Sequence, residues 1–504
     1  MTAQTSVSSR PFLIILALAL GLRLTAVIFS QGFMAHDDHY ETIEIANSWL
    51  HDGLYQSDGT LRWEGKPDIG VMRSAVYNLF LLGLMKITSA FGVEHLDTHM
   101  YFNRFVHALL SLLPVIFGYR YLKEETNERT ASVGGVLLAA HFLMPYLAVR
   151  NLVEMVSADF LFPCLYFATT GMKRESDGDA VLAGVLGGIA FMIRMQVIMA
   201  LAFVPIAMVI RRRAWRQATA FTIALMGMIA LQGLIDTQTH GKFLGSFTNY
   251  IAGNLGAPPT IPGPWYNYIL LLLGVMIPPF SLLFVGSVFQ WRVIRNHIVL
   301  WLPMMAFLIG HSVIVNKQER FMIPIFPILL VLGCVGVYYL RQSEGWHDRW
   351  RKLRLGLWVW FAVINLVLLS AFTVNYGHRG AVDPMVYLSR QPDVRKVLFD
   401  CTERRMFVPY SYWQYDRSGA FTIYSNLEFF QALAQGKLLS FSPPDYIVIF
   451  SDDNLTQHQD LLTSMLGKYK LVHHGKPSLV DVALNKLNPK YNHRNESWVL
   501  GRVK

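Results

Sequence analysis

The sequence predicts an all-α polytopic membrane protein carrying a small C-terminal α/β domain, and three observations predict it. First, of 504 residues 53% are apolar and only 15% charged, against roughly 25% charged in an average soluble domain. Second, the apolar residues fall in blocks of about 20, enough to cross a hydrocarbon core of about 30 Å as helices. They do not follow the weak alternation of a membrane barrel. Third, hydropathy drops after Val374, where a helical stretch (383–389) is followed by the strand-like runs VRKVLFD (394–400) and DYIVIFS (445–451).

The apolar blocks lie near 11–30, 104–121, 131–149, 154–171, 179–194, 196–210, 217–235, 267–290, 297–315, 321–340 and 356–375. They predict about eleven crossings. The first block lacks a small-residue cleavage site and holds Arg23 among apolar neighbours, so it reads as a retained helix. A twelfth stretch, 75–92, is apolar enough to span. Counting it would place Arg211, Arg212, Arg213 and Arg216 outside, against the positive-inside rule, so it reads as an interfacial or re-entrant helix. With it left out, the loops rich in Lys and Arg alternate to the cytoplasmic side. The loop 31–103, the loop 236–266, the turns near 150 and 316–320, and everything after about 376 then face the opposite, extracytoplasmic side. The expected organisation is a transmembrane module over 1–375, with a large first outer loop at 31–103, and an outer soluble domain over 376–504.

The formal charge of +10 belongs to these topogenic loops and to lipid headgroups rather than to a nucleic-acid surface. Cys164, Cys334 and Cys401 show no paired spacing for a disulfide framework or a zinc site. No repeat or low-complexity tract is present.

Five features carry candidate chemistry, and the charge-derived topology places all five on one face. The stretch 35–44, AHDDHYETIE, follows the first span. One member of the adjacent pair Asp37 and Asp38 could have its proton affinity raised to that of a general base. The alternative is a solvated loop in which Asp38 caps a helix beginning near His39 with Glu41 at its third position. His36 and His39 could also join the aspartates around a divalent cation. In GTLRWEGKPDIGVMRS (59–74), Trp63 offers a sugar-stacking face and Lys66 and Arg73 a phosphate partner, or else both kinds of residue anchor the interface. The loop 247–269 ends in PWYNYI, where Trp265 and Tyr266 serve either a substrate or an aromatic belt. In NKQERFMIPIFP (316–327), Lys317, Glu319 and Arg320 occupy an outer turn, and an Arg–carboxylate pair there would steady a phosphate-binding arginine. Arg194, near the same face, belongs with them. Finally, His378 and Arg379 follow the last span, placed to meet an anionic group or lipid headgroups.

At these residues the sequence resembles the lipid-phosphate-mannose-dependent mannosyltransferases of glycosyltransferase family 22. These are enzymes of the polytopic GT-C architecture that build glycosylphosphatidylinositol and dolichol-linked oligosaccharide. The family pattern H-P-D-E-x-Y/F-Q-x-x-E looks like DDHYETIE, which puts its acids on Asp37, Asp38 and Glu44. T-W-E-W followed by R-S is similar to Arg62-Trp63-Glu64 and Arg73-Ser74. P-W-Y-x-Y-L resembles 264–269, H-K-E-x-R-F-x-x-P resembles 316–324, and R-G-x-x-D-V-M-x-Y-L resembles 379–388. These anchors run in family order over about seven-tenths of the chain. The strip HRGAVDPMVYL (378–388) and VPYSYW (408–413) look most like the glycosylphosphatidylinositol branch. The sequence departs at Asn316, Gln318 and Asp38, and at Arg194-Met195-Gln196 where the family has R-P-T.

The resemblance implies inverting transfer of mannose from a polyprenyl (dolichyl) phosphate to a glycolipid acceptor, away from the nucleotide-sugar pool. Asp37 would be the base and Asp38 its neighbour. Glu44, Trp63, Glu64, Arg73, Arg194, Trp265, Tyr266, Lys317, Glu319, Arg320, His378 and Arg379 would line the substrates. No metal ligand is assigned and no cofactor is required, because fixed cations can take the leaving phosphate's charge; use of a divalent metal stays open. The expected partners are the bilayer, the lipid donor and the glycolipid acceptor. The expected location is a bacterial inner membrane facing the periplasm, or an ER membrane facing the lumen. The alternatives are a GT-C transferase using another lipid-phosphate sugar, such as glucose or aminoarabinose, or a polytopic lipid transporter.

Overall fold

The computed structural model describes residues 10–57, 59–63, 72–256, 261–343, 350–400, 408–413, 421–425, 442–450, 455–489, 492 and 494–503. Side chains of 36, 37, 255, 256, 410, 421–425 and 458 lie outside the description. The chain divides into two compact units, neither continuous in sequence. The first takes Met1–Val27, Tyr55–Phe80 and Arg104–Thr373; the second takes Ile28–Leu54, Leu81–Asn103 and Val374–Lys504.

The first unit is helical. Among the described residues six helices are long and apolar enough to cross a membrane: Arg10–Phe29 (α1), Leu96–Glu125, Met195–Arg212, Trp215–His240, Glu319–Gln342 and Arg351–Thr373. A seventh follows if the pair Asn267–Val275 and Phe280–Ser287, bent by 115°, counts as one span. The eleven expected crossings are therefore not all found as uninterrupted apolar helices. Val153–Arg174 is long but carries Glu154 and Asp159, Asp177–Ile193 has only 17 residues, and Ala75–Ala90 and Ile298–Val313 are shorter apolar helices.

The expected block 131–149 is broken. Its helix ends at Ala140 and a short helix resumes at Leu143. Two polar side chains from other apolar segments take up the freed backbone groups. The Asn365 amide donates to the carbonyl of Ala140 at 2.8 Å and accepts from the Phe142 N–H at 2.9 Å. Arg23 of α1, fully buried, donates to the carbonyls of Leu138, Ala139 and Ala19 and to Ser111. In an apolar medium a broken ladder needs such partners. Small residues bring the neighbouring helices together: a Cβ on Gly184 would lie 2.5 Å from the carbonyl oxygen of Phe221, so Asp177–Ile193 packs backbone to backbone on Trp215–His240. Phe326–Gln342 is almost wholly buried and forms the centre of the unit, whereas Arg351–Thr373 is mostly exposed along its length.

The second unit carries a five-stranded sheet. Its strands are β1 (Lys396–Asp400), β2 (Phe421–Ser425), β3 (Tyr446–Phe450), β4 (Tyr469–Gly475) and β5 (Ser497–Arg502), in the order β2-β1-β3-β5-β4. β1 is parallel to β2 and β3; β5 is antiparallel to β3 and β4. Both apolar runs noted in the sequence became buried central strands. Helix Leu455–Leu466 covers one face through Leu462 and Leu466, packed on Leu398, Ile447, Ile449 and Leu500. The helix Arg379–Ser389 packs against β4 and β5.

Candidate functional site

In the first unit the polar residues gather on a carboxylate absent from the sequence-based set. Glu154 sits in the first turn of Val153–Arg174 and is completely buried. Arg194 follows the last residue of Asp177–Ile193 in extended conformation, and this break in the helix turns its side chain inward. Its Nη1 lies 2.6 Å from Glu154 Oε1, and Arg320 Nη1 lies 3.6 Å from the same oxygen. Both guanidinium groups also face the Phe321 ring, at 5.0 and 5.7 Å from its centroid, an attraction that adds to the ion pairs. Arg320 further donates through Nε and Nη2 to Gln318 Oε1 at 2.8 and 2.6 Å. Arg194 Nε and Nη2 are buried without a hydrogen-bond partner, as is Glu154 Oε2. Arg73, half-buried, adds positive charge to the same neighbourhood.

Other members of this set take different places. Lys317 is buried and donates to the carbonyls of His311 and Ser312 at 2.9 and 2.8 Å and to that of Ile314, with its ammonium 5.2 Å from the Tyr268 ring. An ammonium has three N–H groups, so all are engaged in closing the end of Ile298–Val313. Burial lowers the proton affinity of Lys317 below the ordinary lysine value, and the three carbonyls oppose that by holding the charged form. Glu319 is exposed; the carboxylate facing Arg320 is Glu154 rather than its sequence neighbour. Trp63 is buried against His240, at 5.4 Å between centroids. His240 in turn lies 3.6 Å from Asp236, a buried carboxylate that accepts from Gln232 and from the amide and hydroxyl of Ser246. Trp265 and Tyr266 are exposed and meet edge to face. Glu64 lies outside the described residues.

In the second unit the acidic stretch forms helix α2 (His36–Tyr40), a break, and helix α3 (Ile43–Asp52). The Asp37 side chain lies outside the described set. Asp38 does not cap a helix starting at His39: it sits inside α2, and its two oxygens accept the N–H groups of Met34 and Ala35, each at 2.9 Å. His39 is completely buried in a stack of four rings. His378 lies on Phe33 at 4.5 Å, Phe33 on His39 at 4.9 Å, and His39 on Tyr412 at 5.3 Å, with interplanar angles of 13, 22 and 6°. Glu44, buried at the start of α3, places Oε1 3.4 Å from His39 Nε2. The backbone locks this arrangement: the N–H of Gly377 donates to Gln31, Ser30 donates to Asn375, and a Cβ on Gly32 (φ +70°) would fall 1.9 Å from the carbonyl oxygen of Gly377. Arg379 packs over Tyr376 at 5.9 Å.

Sequence reasoning missed Glu154 and Asp236; it offered His39 only as a cation ligand and Tyr412 only as part of the VPYSYW strip. A signal existed for the first: an ionisable residue inside an apolar block is a functional candidate by default, and Glu154 and Asp159 both stand in one. Among the described residues no three His, Cys, Asp or Glu side chains are grouped to hold a metal ion.

Helices long and apolar enough to cross a membrane, with arginines buried among them, define an integral membrane protein. The chain belongs to the Alg9-like mannosyltransferase family, whose profile matches residues 13–400. It is 22% identical over 388 residues to GPI alpha-1,2-mannosyltransferase 3 of Mus musculus, covering 74% of this chain and 65% of that one. It is 23% identical over 388 residues to Alpha-1,2-mannosyltransferase ALG9 of Homo sapiens, covering 68% and 59%. The matched region thus spans less than two thirds of those relatives. Among solved structures the fold is similar to ArnT from Cupriavidus metallidurans bound to undecaprenyl phosphate (TM-score 0.60, 13% identity, 97% and 98% of the two chains). It is also similar to an oligosaccharyltransferase from Archaeoglobus fulgidus (TM-score 0.53, 11% identity, 90% and 69%).

Proposed function

We propose that the protein is an inverting mannosyltransferase that moves mannose from a polyprenyl phosphate to a hydroxyl of a glycolipid or lipid-linked glycan. The reaction would run on the extracytoplasmic face of a bacterial inner membrane or the lumenal face of the ER. The family supports the sugar and the reaction class. The observation that carries the reading is the pair Arg194 and Arg320 gathered on Glu154, with two Arg194 nitrogens, Nε and Nη2, unspent. A guanidinium with free donors in a low-dielectric setting is suited to a phosphate oxygen.

In the reaction the acceptor oxygen forms a bond to the anomeric carbon as the bond from that carbon to the phosphate oxygen breaks. The proton passes to a carboxylate and the electron pair leaves on the phosphate. Asp37 is the base of this reading. Asp38 instead shapes the turn before α2, since both its oxygens already accept backbone N–H groups. Arg194 and Arg320, with Arg73 adding charge, would hold the phosphate as its charge grows, which is where fixed cations contribute most. Lys317 seats the 316–320 turn rather than touching phosphate. His378 and Glu44 fix His39 and the first loop, Trp63 is spent in packing on His240, and Arg379, Trp265 and Tyr266 are left for acceptor and lipid contacts. Residues 390–504 would help dock the acceptor.

The test is transfer by purified protein in detergent from sugar-labelled polyprenyl-phosphate mannose to mixed membrane glycolipids, beside Asp37→Asn. Loss of about a hundredfold or more in the variant is expected, the scale of removing a general base. Transfer that survives the substitution moves the base elsewhere. A preference for glucose or aminoarabinose on undecaprenyl phosphate would reassign the sugar. No transfer from any of these donors by folded protein would favour a transporter.

A further inference from the structure

Within the second unit a cleft of about 750 Å³ opens between the end of α3 (Leu50, His51), the loop Glu94–His95, His99, and the end of the Arg379–Ser389 helix (Ser389). That volume lies in the range of about 300–1,000 Å³ typical of small-ligand sites. No part of it belongs to the acid and ring cluster described above.

Its chemistry is specific. The lining holds imidazoles, hydroxyls and one carboxylate, and no lysine or arginine, so it lacks the charge an anionic ligand needs. No metal-holding group of side chains is present among the described residues. His99 is only 1% exposed; its Nδ1 is engaged by the Thr88 hydroxyl, while its Nε2 is buried without a hydrogen-bond partner. An unsatisfied buried nitrogen in a polar cleft calls for an external partner. Outside the lining, Arg390, next in the chain to Ser389, is neutralised by Asp97, both of whose oxygens accept from its Nη2 at 2.9 and 2.7 Å. Imidazoles and hydroxyls that both donate and accept suit an uncharged, polyhydroxylated ligand.

The position of the cleft adds to this. α3 starts at the ring cluster, where Glu44 meets His39, and ends at the cleft with His51; at about 1.5 Å per residue these two lie about 10 Å apart along the helix. The Arg379–Ser389 helix likewise starts beside His378 of the stack and ends at the cleft, about 15 Å on. Two helices therefore lead from the acid cluster to the cleft, over the length of a short oligosaccharide.

We propose that this cleft is a subsite for the uncharged sugar units of the acceptor, those beyond the hydroxyl being mannosylated. The inference rests on the transferase reading for its purpose, and on the cleft alone for its ligand class.

Full-length protein in lipid nanodiscs would be titrated with α-mannotriose, chitotriose and maltotriose, using saturation-transfer NMR and calorimetry. At least one trisaccharide is expected to bind, and His99→Phe and His51→Trp are each expected to weaken it by about tenfold or more. An unchanged melting curve would show that each variant is folded. His51 lies exposed at the rim, so its variant keeps the test sound where His99→Phe does not fold. Wild-type protein that binds none of the three, or binding that neither substitution weakens, overturns the subsite. In the transfer assay a trisaccharide acceptor should show a lower KM than a monosaccharide acceptor at similar kcat, and His51→Trp should abolish the difference. Binding without transfer from any donor would refute the transferase reading and leave the cleft standing. Transfer with equal KM values and no binding would do the reverse.

Discussion

Glu154 is the residue on which the first unit's charges depend. Its single oxygen Oε1 faces both Arg194 and Arg320 in a buried setting. Glu154→Gln leaves two neighbouring cations without an anion, and removing one partner of a buried pair costs about 3–5 kcal/mol. A markedly lowered melting temperature and lost transfer are expected; a variant that melts like the parent would show that the arginines are held by something else. Lys317 offers the opposite contrast. Lys317→Met strips three carbonyls of their donor, for an expected loss of about 1–3 kcal/mol, with the donor KM little changed. A raised KM at full stability would return Lys317 to the role of phosphate ligand. Local spacing pointed to Glu319 as the partner of Arg320, because adjacent charges are all that a linear reading can pair. The true partner is 166 positions away by subtraction of the residue numbers 154 and 320.

At the scale of elements, breaks in the apolar helices mark where polar groups had to be accommodated. The block 267–290 announced its own break through the Pro278-Pro279 dipeptide, since two prolines cannot continue a helical ladder. The break after Ala140 carries a weaker local sign, Pro145 just inside the resumed helix, which lacks the N–H that would reach His141. It depends on Asn365 and Arg23, which stand in remote apolar segments and meet it only once the helices pack. Asn365→Leu should leave one carbonyl and one N–H unpaired in apolar surroundings, costing about 1–3 kcal/mol each at most. Thermal unfolding of the detergent-solubilised protein measures this, and an unshifted transition would mean the break is satisfied without Asn365. The helix α2 shows the same limit. A capping pattern at Asp38 was legible, yet the carboxylate turned back to Met34 and Ala35, which the preceding chain alone does not dictate.

At the scale of the whole molecule, the second unit assembles Ile28–Leu54, Leu81–Asn103 and Val374–Lys504, so the tail is not an appendage to be removed freely. The Arg379–Ser389 helix packs on β4 and β5, and a Cβ on Gly380 would collide with the carbonyl oxygen of Asn495. Deleting 390–504 should therefore unseat His378 and expose the first loop. Limited proteolysis should then cut within 31–54, and transfer should be lost. A truncated protein that stays active and resistant would separate the sheet from the reaction. Much of this architecture was legible in the chain. The apolar blocks, the drop in hydropathy after Val374 and the two central strands follow from composition and period, because hydrophobic burial acts residue by residue along the sequence, while the family was reached only through the resemblance of its ordered short motifs. The partners were decided by tertiary structure. Which carboxylate faces Arg320, which ring completes the stack on His39, and which side chains close a broken helix depend on groups more than a hundred residues apart. Ion pairs, ring stacks and hydrogen bonds act over a few ångströms in space, a distance that no linear spacing records.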